Sequence, residues 1–164
     1  MPFRPVRLRE EVPAPVRAGL EALRQEVNVP TGFPPEVLAA AEQAVGQPTL
    51  PTLDRTEWPF VTIDPPGAKD LDQAVHIERD GQGFVVWYAI ADVGAFVTPG
   101  DPIDREAHAR GQTFYAPHRR TPLHPPAISE SAASLLPGQV RPALVWRLPL
   151  DAYGVCAMPH VERA

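Results

Sequence analysis

Three aspartates, at positions 64, 70 and 72, have the residue type and the spacing to support chemistry. Asp64 follows a short apolar run, whereas Asp70 and Asp72 flank the apolar residue Leu71. If residues 70–72 are extended, both carboxylates point to one side while Leu71 anchors the segment inward. The proline-glycine loop at 65–67 lets the chain fold back, so we expect Asp64 to join them closely enough for the three carboxylates to share a cation. Clustered carboxylates repel one another unless a cation is present, and hard oxygen ligands suit Mg²⁺ or Mn²⁺. Such a site can promote in-line cleavage of a phosphodiester bond.

The same aspartates have two other interpretations. Aspartate is common in turns beside proline and glycine, and Pro65, Pro66 and Gly67 follow Asp64, so the aspartates could lie on a surface loop. A calcium loop is a further alternative, although the pattern lacks the closing glutamate of an EF-hand. The spacing alone leaves the metal site and the surface loop open.

Short strands are predicted on both sides of the aspartates. The run 60–63 predicts a strand that ends at Asp64, and 74–77 predicts a second strand. Residues 79–83 include two glycines and predict a turn, and 84–90 is rich in β-branched and aromatic residues. The segments 74–77 and 84–90 are therefore predicted to form a hairpin.

Helices and strands alternate after the hairpin. Asp101 and Pro102 predict the start of a helix, because aspartate caps a helix N-terminus and proline fits the first turn, and Gly111 predicts its end. Further segments predict a strand at 113–115, a short helix at 128–136, a strand at 142–150 and another strand from 155 onward. The predicted fold class is therefore mixed α/β (α+β).

Residues 1–50 are predicted to be helical, with helices at 16–27 and 34–45. Apolar residues recur on one face of the first helix at spacings of four, three and four: Val16, Leu20, Leu23 and Val27. Two helices joined by a Gly-containing turn are compatible with a helix-turn-helix, but a helical arm packed on the next domain is the commoner arrangement. Residues 51–58 are predicted to be a linker, and the next domain spans 59–164.

The charge and the apolar content restrict the function classes. The 164 residues include 15 basic and 20 acidic side chains, a net charge of −5, which argues against a broad basic surface for nucleic acid. Acidic residues that hold metal ions stay compatible with this charge, because the metal inverts the local potential. The longest apolar run, 84–91, is far shorter than the roughly 20 residues that cross a membrane. One cysteine, Cys156, and no signal-peptide pattern favour a reducing, cytoplasmic setting.

Several segments together resemble one family. The stretches FVTIDPPGAKDLDQAV, YAIADVGAFVTPGDPIDREAHARG, TFYAP and PLHPPAISESAASLLPGQVRPAL are similar, in order and spacing, to the RNB catalytic domain of the ribonuclease II/ribonuclease R family. The resemblance covers residues 57–155 and only the N-terminal part of that domain. It implies a Mg²⁺-dependent 3′-to-5′ hydrolytic exoribonuclease that threads single-stranded RNA and releases nucleoside 5′-monophosphates.

The resemblance also assigns roles to individual residues. Asp64, Asp70 and Asp72 match three of the four acidic active-site residues of the family, and Asp72 matches the one essential for cleavage, so Asp70 and Asp72 are the predicted catalytic residues. The fourth carboxylate falls on Gln73, whose neutral oxygen could still bind a metal but brings no charge. Tyr115 resembles the aromatic residue that stacks on bases near the RNA 3′ end. Without the resemblance, a core aromatic would be the preferred interpretation of Tyr115.

Other basic residues are weaker candidates for RNA contacts. Arg119 and Arg120, together with Arg110 and His118, could touch phosphates, and a solvated loop is an equal alternative. Because the domain resembles only part of the family's catalytic domain, we expect the remainder to lie C-terminal to residue 164 and residues 1–164 alone to be inactive. A non-catalytic RNA-binding relative is the alternative that Gln73 permits, and a helix-turn-helix DNA-binding regulator is a third.

Overall fold

A four-stranded antiparallel sheet and a group of short helices form the protein. The computed structural model describes residues 13–117 and 119–164. The helices are α1 (Ala14–Glu26), α2 (Pro35–Gly46) and α3 (Pro102–Arg110), with a 3₁₀ turn at Val93–Ala95 and a π-helical turn at Ile128–Ala132. The strands are β1 (Gln73–Asp80), β2 (Gly83–Ala91), β3 (Phe114–Ala116), β4 (Arg119–Thr121), β5 (Ala143–Leu150) and β6 (His160–Arg163). The predicted α+β class is therefore confirmed.

The sheet has the order β1-β2-β5-β6, with every pair antiparallel. Alternate residues of neighbouring strands share one face, and that face is buried at Ala74, Ala89 and Val145. The predicted hairpin is confirmed as β1 and β2. Gly83 is required where β2 begins, because a Cβ atom at that position would lie 2.0 Å from the carbonyl oxygen of Leu150.

A second core joins α2 to α3 and to the two short helical turns. Val37 and Ala41 of α2 are buried against Phe96, Ile103 and Ile128. The predicted capping of α3 is confirmed, since the Asp101 carboxylate accepts a hydrogen bond from the Asp104 backbone N–H at 2.7 Å and Gly111 has a φ of +75°. The N-terminal helical segment therefore packs on the domain that follows it, as the helical-arm interpretation predicts.

Helix α1 packs differently from its apolar pattern. Val16, Leu23 and Val27 are each more than half exposed, whereas Arg24 is only 6% exposed. Arg24 donates to the Thr121 hydroxyl at 3.0 Å and to the Pro30 carbonyl at 3.3 Å. The predicted apolar residues Val16, Leu23 and Val27 are therefore not buried, and Arg24 is the buried side chain through which α1 contacts β4.

Two strand predictions are corrected. The predicted strand at 60–63 is a single bridge between Val61 and Val75, because the flanking prolines at 59, 65 and 66 lack the N–H that a ladder needs. The last strand begins at His160 rather than at 155, directly after another proline, Pro159.

Two other elements differ from the sequence prediction. The helix predicted at 128–136 is confined to the π-helical turn, and β4 was not predicted at all. Within the described residues, no helix has the length and apolar character that a membrane span requires.

Candidate active site

A tight turn brings Asp64 back toward the other aspartates. Pro65 accepts a hydrogen bond from the backbone N–H of Ala68 at 3.1 Å, and Gly67 has a φ of +85°. A proline at the second turn position and a glycine with positive φ at the third are typical of a type II turn. The chain therefore reverses between Asp64 and Asp70, as the proline-glycine pattern predicts.

The backbone of residues 70–72 is fixed on both sides of Leu71. The Leu71 side chain is 5% exposed, and its N–H donates to the Ser134 hydroxyl oxygen at 2.9 Å. Its carbonyl accepts from the N–H of Leu135 at 2.8 Å, and the Asp72 carbonyl accepts from Ala91 at 2.9 Å. Leu71 thus points inward, and the aspartates on either side have defined backbone positions.

The aspartates line one open cleft. Its volume is about 320 Å³, and its polar lining comprises Asp64, Asp70, Asp72, Gln73 and Tyr88. The Tyr88 hydroxyl donates to Oε1 of Gln73 at 2.5 Å, which fixes the amide oxygen beside the carboxylates. Every predicted ligand residue therefore lines the same cleft.

The electrostatics of the cleft are dominated by negative charge around Asp72. Partial burial, followed by the nearby carboxylates of Asp70 and Asp64, raises the pKa of Asp72 above its ordinary value. Arg120 acts in the opposite direction and lowers this pKa. An oxygen-only donor set with excess negative charge has the chemistry that Mg²⁺ prefers, so the donor atoms of these residues suit such an ion.

The separation of the carboxylates differs from the prediction. From the spacing, we expected Asp64, Asp70 and Asp72 to approach closely enough to share one cation. Across residues 13–117 and 119–164, no group of three or more His, Cys, Asp or Glu side chains lies close enough to hold a metal ion. The carboxylate of Asp70 is instead bonded to the guanidinium of Arg120. Whether the three aspartates and Gln73 bind a metal stays a prediction.

A second, two-stranded hairpin stands beside the cleft. It consists of β3 and β4, in which Tyr115 is paired directly with Arg120. The Tyr115 side chain is 76% exposed, so the alternative of a core aromatic is wrong. An exposed aromatic ring next to a carboxylate cleft is available to stack on a base.

The other basic candidates are engaged elsewhere. Arg110 is buried and stacks over the Phe33 ring at 3.7 Å, so the prediction that it contacts phosphates is wrong. Arg119 donates to the Thr31 carbonyl at 3.2 Å and lies 3.6 Å from the Glu21 carboxylate, which ties it to the N-terminal helices. His118 lies outside the described residues.

Three residues of the site were missed in the sequence. Tyr88 could have been found, because the hairpin turn sets a register in which it lies diagonally opposite Gln73 on the same face. Ser134 was not predicted as a site residue, yet its hydroxyl oxygen accepts a hydrogen bond from the Leu71 backbone N–H. Glu130, which accepts from Arg120 at 2.5 Å, had no signal in the sequence.

Comparisons with known proteins agree with this architecture. The model of the RNB domain family matches residues 53–164. Exoribonuclease 2 from Vibrio vulnificus is 39% identical over 107 residues, which is 65% of this chain and 16% of the relative. Ribonuclease R from Acidithiobacillus ferrooxidans is 36% identical over 141 residues, which is 82% of this chain and 32% of the relative. The chain therefore spans less than a third of the length of these relatives.

A solved structure extends the likeness to three dimensions. The structure of Mycoplasma genitalium RNase R in complex with ribose-methylated single-stranded RNA superposes with a TM-score of 0.78 at 28% identity, covering 89% of this chain and 23% of that chain. The match includes most of the N-terminal helical segment as well as the sheet, since it covers more than the residues from 53 onward. The chain belongs to the RNB domain family, together with ribonuclease II and ribonuclease R.

Proposed function

We propose that the protein is a Mg²⁺-dependent exoribonuclease that degrades single-stranded RNA from its 3′ end to nucleoside 5′-monophosphates. The observation that carries the proposal is the shared cleft of Asp64, Asp70, Asp72 and Gln73 beside the exposed ring of Tyr115. Membership of the RNB family supports the reaction class. The single exposed thiol, Cys156, suits the reducing cytoplasm, where we place the protein.

The cleft residues would hold the cation through oxygen atoms. Asp64, Asp70 and Asp72 supply the charge, and Gln73 supplies a neutral carbonyl oxygen that Tyr88 already orients. Mg²⁺, or Mn²⁺ in its place, would supply Lewis-acid stabilisation of the charge that develops on a scissile phosphate. Because Gln73 brings no anion, this donor set carries one negative charge fewer than the four-carboxylate pattern of the family.

Asp72 is the proposed catalytic carboxylate at the centre of this charge. Its raised pKa reflects burial first and repulsion from the neighbouring carboxylates second, and a bound cation would offset both. Asp70, two residues earlier, faces the same cleft and is the second proposed catalytic residue. The buried Leu71 between them fixes the two backbones, so the pair is preorganised for one substrate position.

The β3–β4 hairpin would guide the RNA strand. Tyr115 offers a ring face that stacks on any base, which suits a degradative enzyme. Arg120, paired with Tyr115 and 28% exposed at its side chain, is the basic residue of this hairpin that would contact a phosphate. Arg119 would contribute at most at the outer side of the hairpin, because it is bonded to Thr31.

The direct test is hydrolysis of a 5′-labelled single-stranded RNA by the full-length protein with Mg²⁺. We expect stepwise shortening from the 3′ end, and Asp72→Asn should lower the rate about 100-fold or more because it removes an anionic group from the charge-stabilising site. Asp80→Asn is the matched control, since Asp80 is an exposed aspartate at the other end of β1 and should leave the rate unchanged. A DNA strand of the same sequence should be cut poorly, because it lacks the 2′-hydroxyl.

Three outcomes would reject the proposal. Internal cleavage products, or equal rates on RNA and DNA, would contradict the substrate and the direction. RNA binding without any hydrolysis in the wild-type protein would favour the alternative, a non-catalytic RNA-binding relative in which Gln73 has disabled the site.

A further inference from the structure

Arg120 bridges two acidic residues that belong to different parts of the chain. Its guanidinium donates to Oδ2 of Asp70 in the cleft and to Oε1 of Glu130 in the π-helical turn, the latter at 2.5 Å. The three side chains are about equally exposed, at 28% for Arg120, 34% for Asp70 and 28% for Glu130. The bridge is therefore partly desolvated, and its ion pairs are stronger than those on an open surface.

The two carboxylates bonded to Arg120 differ in their position relative to the cleft. Asp70 lines the cleft beside Asp72, whereas Glu130 is absent from the cleft lining. A cation that binds Asp70 meets a positive guanidinium already bonded to one carboxylate oxygen. Because like charges repel in a partly desolvated site, the cation and Arg120 must compete for this carboxylate.

Glu130 is a second carboxylate that can hold the Arg120 guanidinium after a cation displaces it from Asp70. An arginine has five N–H donors in a fixed fork, so Arg120 can transfer its hydrogen bonding to Glu130 without leaving the site. The direct pairing of Tyr115 with Arg120 keeps the backbone of Arg120 in place during such a shift. The site therefore contains the three groups that such a shift requires: the Asp70 carboxylate, the Arg120 guanidinium as its counter-ion, and the Glu130 carboxylate as a second hydrogen-bond acceptor.

We propose that Arg120 is an internal counter-ion of Asp70 that a divalent cation has to displace, and that Glu130 sets the strength of this competition by holding the released guanidinium. This inference rests on the proposed cation site. It makes Arg120 and Glu130 positioning residues that tune cation affinity. It also accounts for the bonding of Asp70 to Arg120 in the described structure.

The test is calorimetric titration of the full-length protein with Mn²⁺ alone, without RNA. Arg120→Met should tighten Mn²⁺ binding about three- to tenfold, the range expected when one partly exposed ion pair is removed. Glu130→Gln should weaken binding, because Arg120 then pairs with Asp70 alone. Arg119→Met is the matched control on the same hairpin, and its Mn²⁺ affinity should equal that of the wild type.

A double variant separates competition from a general loss of negative charge. If Glu130 acts through Arg120, Glu130→Gln should have no effect on Mn²⁺ affinity in the Arg120→Met background. An equal loss of affinity in both backgrounds would overturn the role of Glu130. Unchanged or weaker Mn²⁺ binding in Arg120→Met would overturn the counter-ion itself.

Further variants keep the outcome decisive. If Arg120→Met does not fold, Arg120→Lys replaces it, because lysine lacks the fork that spans both carboxylates and should also tighten binding, by a smaller factor. Asp72→Asn tests the underlying site: unchanged Mn²⁺ binding in this variant would reject the proposed cation site. Binding that is lost in Asp72→Asn but unaltered in Arg120→Met would reject only the counter-ion.

Discussion

The two sides of the cleft are held in place by different kinds of interaction. On the carboxylate side, the Leu71 side chain is buried and the backbone of residues 70–72 is bonded to Ser134, Leu135 and Ala91. On the hairpin side, β4 and the adjoining Pro122 are connected to their surroundings by four arginine side chains: Arg24 of α1, Arg110 of α3, and Arg119 and Arg120 of β4 itself. The backbone that carries the proposed catalytic carboxylates is thus held by backbone hydrogen bonds. The hairpin that carries the proposed RNA-binding residues is held by arginine side chains, and another charged group can compete for the partners of these side chains.

The largest effect is expected on the carboxylate side. Leu71→Ala should lower the free energy of unfolding by about 2–5 kcal/mol, because it empties a buried position and loosens the backbone of both neighbouring aspartates. Leu50→Ala, at a position 61% exposed, is the control and should change stability by less than about 0.5 kcal/mol. Denaturant unfolding measures both, and equal losses would mean that Leu71 does not anchor the segment.

A smaller stability effect is expected where α1 contacts the hairpin. Arg24→Met should cost about 1–3 kcal/mol, because it leaves the buried Thr121 hydroxyl without its donor. Arg17→Met, at an exposed position of the same helix, should be close to neutral. If both variants unfold at the wild-type denaturant concentration, α1 does not hold the hairpin.

Tyr115 should affect RNA binding without affecting stability. Tyr115→Ala should weaken binding of single-stranded RNA by about 1–3 kcal/mol, the contribution of one stacked base, and Tyr115→Phe should restore most of it. The exposed ring makes few contacts within the protein, so the unfolding transition should not move. Fluorescence anisotropy with a labelled oligonucleotide gives the affinities, and wild-type affinity in Tyr115→Ala would contradict the stacking role.

The smallest expected effect is a gain in stability. Since the folded protein raises the pKa of Asp72, ionised Asp72 destabilises the fold at neutral pH, and Asp72→Asn without metal should raise the apparent melting temperature by about 1–3 °C. This gain in melting temperature should shrink as the pH falls from the raised pKa of Asp72 in the folded protein to the ordinary pKa of aspartate. Asp72 of the wild type becomes neutral over this range, so replacing it with asparagine no longer removes a charge. Thermal scans at several pH values measure it, and a gain that grows on acidification would contradict the crowded carboxylates.

Local sequence determined the carboxylate side. The type II turn, the inward Leu71 and the capped helix α3 each depend on residues within a few positions of one another, so their pattern predicted them. The family resemblance and the α+β class were also confirmed, because the segments that carry the resemblance follow one another along the chain in the order and spacing of the RNB domain.

Long-range charge contacts determined the hairpin side, and the sequence did not predict them. Arg120 lies 50 positions from Asp70, and Arg24 lies 97 positions from Thr121. The apolar pattern of α1 predicted a buried face of Val16, Leu20, Leu23 and Val27, and arginine is usually exposed, yet Arg24 is the buried residue of this helix. Whether an arginine is solvated or hydrogen-bonded depends on partners that are distant in sequence and come together only in the folded chain.

We propose that the cleft of Asp64, Asp70 and Asp72 binds the divalent cation needed for hydrolysis. Anomalous diffraction from crystals of the full-length protein soaked in Mn²⁺ would locate this cation. We expect a peak in this cleft in contact with at least two of the three carboxylates, and its loss in Asp72→Asn crystals. Mn²⁺ peaks found only at other positions, in a protein that hydrolyses RNA in the same Mn²⁺ buffer, would exclude this cation site.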